Sequence, residues 1–127
     1  MKKVFVTGGS GFVGQNLIPM LIESGYLVKA LARSEKAIQK VESLGATAIK
    51  GDLNDKQALV NGVKDCVTVY HLAASVDFFA SEKDLKKLHV EATKLLLSVA
   101  KNANVQRFVY LGAASVIMNG KPIVNAD

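Results

Sequence analysis

One stretch constrains this chain more than any other: Val4-Phe5-Val6-Thr7-Gly8-Gly9-Ser10-Gly11-Phe12-Val13-Gly14. It begins as a β-branched and aromatic run, the pattern of a buried strand. It breaks into glycines, then resumes as an apolar-periodic segment that predicts a helix over residues 12–24, with Pro19 inside it and Gly25 as its stop. Gly8 and Gly9 allow a sharp turn where φ can be positive. Gly11 has no Cβ, so an anionic group can approach the backbone, and Gly14 lets the helix pack close to the strand. The helix starts near Gly11 or Phe12, which aims its free N–H groups and positive dipole end at the turn, a setting for phosphate. A mononucleotide P-loop is excluded, because Gln15-Asn16 stands where Lys and Ser/Thr are needed.

The rest of the chain alternates. Strands are expected at residues 3–7, 26–32, 46–50, 67–72 and 106–111. Between them lie helices at 12–24, from a Ser34 cap to about Ser43, at 56–63 behind an Asn54 or Asp55 cap, and at 83–103. Residues 73–81 read as a connection, and 112–127 show no strong periodicity. Such β-α alternation implies a parallel sheet covered on both faces. Right-handed crossovers then favour an α/β, doubly wound Rossmann sheet of order 3-2-1-4-5, with ligands at the carboxyl ends of the strands near the switch point. All 127 residues form one expected dinucleotide-binding domain. If nothing followed the fifth strand, its edge would be exposed.

Composition narrows the partners. The single cysteine, Cys66, excludes a disulfide framework and a multi-cysteine metal site, and no metal-ligand spacing occurs. Cys66 reads as a buried small hydrophobe. The net charge of +5 suggests anionic partners, but the lysines are scattered and no aromatic-basic cluster marks a nucleic-acid face. No signal peptide is evident and no apolar run approaches the ~18 residues of a membrane span. A cytoplasmic location is the expectation.

The spacing Gly9-x-Gly11-x-x-Gly14 is the general dinucleotide pattern, and such turns usually have an acidic residue about 20 residues on to hold ribose hydroxyls. Here Ala32-Arg33-Ser34 occupies that place. An arginine attracts a 2′-phosphate that an acid would repel, Ser34 can add a donor, and Lys36 a second charge. NADP is therefore preferred as cofactor, with NAD possible and Arg33 as an ordinary surface residue the alternative.

At this point the chain resembles the extended short-chain dehydrogenase/reductases, a family that includes nucleotide-sugar epimerases and dehydratases and dihydroflavonol-reductase-like enzymes. The matching blocks are Thr7-Gly8-Gly9-Ser10-Gly11-Phe12-Val13-Gly14, Gly51-Asp52-Leu53, His71-Leu72-Ala73-Ala74, His89-Val90-Glu91-Ala92-Thr93 and Arg107-Phe108-Val109-Tyr110. The resemblance implies that Asp52 bonds the adenine amino group with Leu53 beside the ring. It implies that Leu72, Ala73 and Ala74 line the cofactor channel, and that Arg33 is the arginine of NADP-preferring members. The region of Phe78 is similar to a loop over the substrate side.

The departures are informative. His89 and Ala92 replace the family's usual Asn and Gly. Ala113 stands where the resemblance puts the catalytic serine. Ser115, two residues on, would share its face in an extended strand and is the candidate substitute, a turn serine being the alternative. The family's proton-transferring Tyr-x-x-x-Lys is absent, since the three tyrosines are followed at that spacing by Ala30, Ala74 and Ala114. The chain therefore reads as the amino-terminal cofactor portion of a longer oxidoreductase or epimerase/dehydratase, inactive alone. The substrate would be a small molecule met by the full-length protein, and a homodimer is possible. The second reading is a non-catalytic, NADP-binding redox sensor acting through a protein partner. His71 and His89 read as structural histidines rather than proton carriers, and Asp77, Glu82 and Asp84 as a solvated helix start.

Overall fold

A computed structural model describes residues 2–9, 11–72, 82–111, 115–118 and 124–125. The elements run β1 (Lys3–Thr7), α1 (Phe12–Glu23), β2 (Leu27–Ala32), α2 (Glu35–Ser43), β3 (Thr47–Lys50), α3 (Lys56–Val63), β4 (Cys66–Leu72), α4 (Glu82–Asn102), β5 (Arg107–Leu111), β6 (Ser115–Met118) and β7 (Val124–Asn125). One sheet holds them in the order β3-β2-β1-β4-β5-β6-β7. The parallel core is the expected 3-2-1-4-5.

The central strand is apolar throughout because both its faces are covered. Phe5 enters one core cluster with Leu59 and Val63 of α3, Val69 of β4, Leu96 and Val99 of α4, and Phe108 of β5. Val4 and Val6 point the other way, into a cluster with Ile18 and Leu21 of α1, Val28 and Ala30 of β2, and Val41 of α2. All three side chains are fully buried. Each contributes about 1.5–3 kcal/mol by leaving water, so a polar residue at any of them would open a core.

Helix ends follow local chemistry. Ser34 Oγ accepts from Ala37 N at 3.1 Å to cap α2, and Asp55 Oδ1 accepts from Ala58 N at 3.1 Å to cap α3. Asn54 is not the cap: its N–H donates to Asp52 Oδ1 at 2.8 Å, inside the turn. Lys29 of β2 reaches across the sheet's face, its Nζ donating to the Asn61 and Lys64 carbonyls at 2.9 and 3.0 Å at the end of α3. There the cation meets the negative end of the helix dipole. Asn104 adopts φ 61° beyond α4, while Val105 N donates to Ala100 O at 3.0 Å. This is a left-handed cap made with Asn instead of Gly.

The condition that would expose the edge of β5, nothing beyond it, is not met. β6 lies antiparallel on β5, Phe108 facing Met118 and Leu111 facing Ser115, and β7 continues the sheet beyond β6. The edge row of N–H and C=O groups on β5 is thus paired rather than exposed.

Candidate dinucleotide site

The carboxyl ends of the parallel strands β1, β2, β3 and β4 lie along one edge of the sheet, and sequence-predicted residues among those described follow them there. β1 ends at Thr7, and Gly8 follows with φ +74°. A Cβ on Gly8 would collide with the Leu72 carbonyl oxygen at the end of β4 and come 3.1 Å from the Leu72 Cβ. Positive φ and close approach therefore both require glycine here. Gly9 differs from the expectation of a positive φ, since only Gly8, Gly25, Gly45 and Gly51 have it among the described glycines. A Cβ on Gly9 would instead press within 3.0 Å of Ile18 Cδ1 and 3.4 Å of Val41 Cγ1, so this glycine seats the turn on the core.

Gly11 N donates to Gly8 O at 3.1 Å, closing the turn, and Gln15 N donates to Gly11 O at 3.0 Å, opening the helix. Gly14 brings α1 against the turn: its missing Cβ would strike the Gly9 carbonyl oxygen and lie 2.5 Å from Gly9 Cα. Among the described residues a Cβ on Gly11 would meet only Gly8 O, at 3.4 Å, which suits this glycine to a ligand. The N-terminus of α1 has Gly11 as its cap, no side-chain cap and no acidic residue in its first turn, whereas side chains cap α2 and α3. An anion placed there would meet an uncontested dipole end. Val13 is half exposed on this helix, the side chain of Phe12 is not described, and Ser10 lies outside the described residues.

Gly51 N donates to Ala32 O at 3.1 Å, tying the ends of β2 and β3 together. Arg33 follows the end of β2, and Asp52 follows Gly51 beyond the end of β3, so both leave the sheet at this edge. Arg33 is exposed, while Asp52 and Leu53 are half-buried. Asp52 commits Oδ1 to Asn54 N, and its second carboxylate oxygen can accept from a ligand amino group. Ser34 and Lys36 line a groove of about 560 Å³ between α1 and α2, with Gln15, Ala37, Gln39 and Lys40. Arg33 and Asp52 stand outside that groove. The Ser34 hydroxyl accepts from Ala37 N and still has its proton to donate.

Leu72 contributes backbone, not side chain, to this edge, because its side chain is buried in the cluster under α1 and α2. Ala73, Ala74 and the loop at Phe78 lie outside the described residues, as does Ala113. Ser115 opens β6 opposite Leu111, at the carboxyl end of β5, and so begins a strand rather than occupying a turn.

A feature without a local sequence signal is the polar arrangement around His71. The ring is fully buried. Nδ1 lies 2.6 Å from Thr7 Oγ1 and Nε2 lies 3.0 Å from Thr93 Oγ1 of α4. The structural reading of His71 is therefore the one the geometry favours.

Burial pushes the Cys66 thiol above its ordinary range, Lys29 and Lys3 opposing weakly, and its Sγ donates to Gly62 O at 3.2 Å. Burial likewise raises Tyr70 and Tyr110. All three hold their protons near neutrality, so none is an activated nucleophile or base. Among the described residues no group of His, Cys, Asp and Glu could hold a metal ion.

The sequence pattern of the 3-beta hydroxysteroid dehydrogenase/isomerase family matches residues 5–127. The chain belongs to this family. It thus falls within the extended short-chain dehydrogenase/reductases that its motifs resemble. One similar relative is the 4-hydroxy-2-methyl-3-oxo-4-farnesyl-3,4-dihydroquinoline-1-oxide ketoreductase of Stigmatella aurantiaca, 38% identical over 98% of this chain and 37% of that protein. Another is the decarboxylating sterol-4-alpha-carboxylate 3-dehydrogenase of Dictyostelium discoideum, 40% identical over 99% of this chain and 40% of that protein. Among solved structures, a short-chain dehydrogenase/reductase superfamily protein from Agrobacterium tumefaciens with bound NAD has a TM-score of 0.68 and 30% identity. That match covers 85% of this chain and 31% of the other. The family member described here spans about 37–40% of the length of these two curated relatives.

Proposed function

We propose that this chain is the NAD(P)-binding portion of an extended short-chain dehydrogenase/reductase, residues 1–127 forming one dinucleotide-binding domain. The observation that carries the reading is the glycine turn. Among the described residues, Gly8 and Gly14 are held by close contacts inside the protein, whereas Gly11 has only Gly8 O within reach, at a helix start that no side chain caps. Thr7, Gly8, Gly9, Ser10, Gly11, Phe12, Val13 and Gly14 would cradle the pyrophosphate. Asp52 and Leu53 would take the adenine, with Ala73 and Ala74 continuing the channel. Arg33, Ser34 and Lys36 would take the 2′-phosphate, so that NADP is favoured over NAD. The bound nicotinamide supplies hydride transfer. Ser115, at the carboxyl edge of β5, is the proposed hydrogen-bonding partner of the reacting oxygen.

The substrate class suggested by the two curated relatives is a small-molecule ketone or secondary alcohol on an apolar, multi-ring or prenylated scaffold. A homodimer and a cytoplasmic setting belong to the same proposal. No described helix is long and apolar enough to cross a membrane. Calorimetric titration with NADPH and with NADH tests the reading. Saturable binding with NADPH the tighter supports it, equal affinity removes the Arg33 argument, and binding of neither by folded protein overturns it.

A further inference from the structure

We propose that His71 is a positioning residue whose ring couples the glycine turn to α4, so that dinucleotide affinity depends on how α4 is seated. The affinity part rests on the dinucleotide reading above; the coupling itself does not.

Thr7, His71 and Tyr110 stand level with one another on three adjacent parallel strands. Two residues earlier, Phe5, Val69 and Phe108 form the row below, inside the apolar cluster under α3 and α4. Side chains alternate across a sheet, so the upper row points to the same face. There the apolar core gives way to one polar layer, and α4 closes over it through Thr93.

The imidazole is held on every side. Thr7 binds Nδ1, Thr93 binds Nε2, the Tyr110 ring lies 5.2 Å away tilted by 32°, and Phe108 meets it edge-on at 6.1 Å. Rotating the ring would leave a buried nitrogen without its partner, which costs more than the bond itself contributes. Each threonine hydroxyl can donate or accept, so either neutral tautomer is satisfied. With both nitrogens engaged by threonines, the ring acts as a strut of fixed length and has no nitrogen turned toward a ligand.

The strut reaches the site through consecutive residues. Thr7 is the last residue of β1, and Gly8 after it packs against the Leu72 carbonyl, the residue after His71. The turn is therefore docked on β4 at two adjacent points, and β4 is docked on α4 at Thr93. A displacement of α4 that pulls on Thr93 moves the ring, and Gly8 follows. The contacts are continuous, which is the physical requirement for coupling between the two places. By linkage, a ligand that orders the turn also holds α4.

Three variants test this. Thr93→Val removes one bond and keeps the shape. Thr93→Ser keeps the hydroxyl. Val99→Ala, on the same helix and in the same core, loosens packing without touching the strut. NADPH affinity is expected to fall about tenfold in Thr93→Val, the size of one lost buried hydrogen bond, and to stay within about twofold in Thr93→Ser. In Val99→Ala it should match wild type although the urea midpoint falls at least as far. Unchanged affinity in Thr93→Val, or an equal loss in Val99→Ala, overturns the proposal. If wild type binds no dinucleotide, the functional reading fails, and amide exchange at Gly11 still decides the coupling. Exchange should quicken about tenfold in Thr93→Val and not in Val99→Ala; unchanged exchange overturns it.

Discussion

Replacing Gly14 by alanine separates the two jobs of the glycine turn. The new Cβ would strike the Gly9 carbonyl oxygen and sit 2.5 Å from the Gly9 carbonyl carbon and Cα. Ordinary contact begins near 3.4 Å, so α1 and the turn must part by about 1 Å, and both sides of the contact are backbone. Overpacking costs about 1–3 kcal/mol, and with backbone on both sides this contact falls at the upper end, about 2–3 kcal/mol. Alanine's better helix propensity returns about 1 kcal/mol. The net loss is about 1–2 kcal/mol, or a fall of roughly 3–8 °C in Tm for a domain of this size. The shifted turn also misaims at least one N–H toward the pyrophosphate. A charge-assisted bond is worth about 1.5–3 kcal/mol, so NADPH affinity should fall about 10- to 150-fold. Gly11→Ala is the counterpart. Among the described residues its Cβ meets only Gly8 O at 3.4 Å, so stability should change by no more than about 1 kcal/mol, the difference between glycine and alanine as a cap. The loss of affinity should be of similar size. Gly25→Ala is the control. With φ +94° and no atom within 4 Å, it should cost about 1–2 kcal/mol of left-handed strain and leave affinity alone. Thermal melts and calorimetric titrations read all three. A Gly14→Ala protein that melts with wild type, or a Gly11→Ala protein that binds as tightly, refutes the reasoning.

Arg33→Ala should weaken NADPH much more than NADH by calorimetry, and equal losses would remove its 2′-phosphate role. Ser34→Ala and Asp55→Ala each delete a helix cap seen at 3.1 Å and should each lower stability by about 1 kcal/mol in urea unfolding; no change would mean the caps are idle. Stability should fall as pH rises through the alkaline range. Cys66, Tyr70 and Tyr110 are all raised by burial, so the folded state holds protons that the unfolded state has released. That contribution is complete below the unfolded values, near 8.5 for the thiol and 10 for the phenols, and is lost through the higher folded values. A flat alkaline profile in a pH series of urea melts would contradict it. For the same reason alkylation of Cys66 should be slow until the chain unfolds, and fast labelling of native protein would show an accessible thiol.

The parallel core was readable because short apolar strands alternate with helices between local stops, so β1, α3 and the sheet order match the expectation. Ser34 was readable as a cap because its role is decided within three residues. Asp55 could not be told from Asn54, because Asn54 spends its N–H on Asp52 only once the turn has formed. The strands β6 and β7 escaped for a different reason. Ser115–Met118 and Val124–Asn125 are too short to show periodicity, and they are set by pairing, β6 on β5 and β7 on β6. His71 was visible as the end of an apolar strand, yet its partners lie 64 and 22 residues away. Nothing within a local window could join Thr7, His71 and Thr93. Gly9 showed as a turn glycine, but its task of seating the turn on Ile18 and Val41 is a tertiary fact.

The central claim is that the turn from Gly8 to Gly14 cradles a pyrophosphate, and amide chemical shifts of the folded chain during NADPH titration test it most directly. The account predicts saturable shifts concentrated at Gly8, Gly9, Gly11, Val13 and Gly14, with smaller ones at Arg33 and Asp52. Lys2, Tyr26 and Gln106, at the opposite ends of the strands, should stay still. Shifts confined to those opposite ends, or no saturable shifts in folded protein, would contradict it.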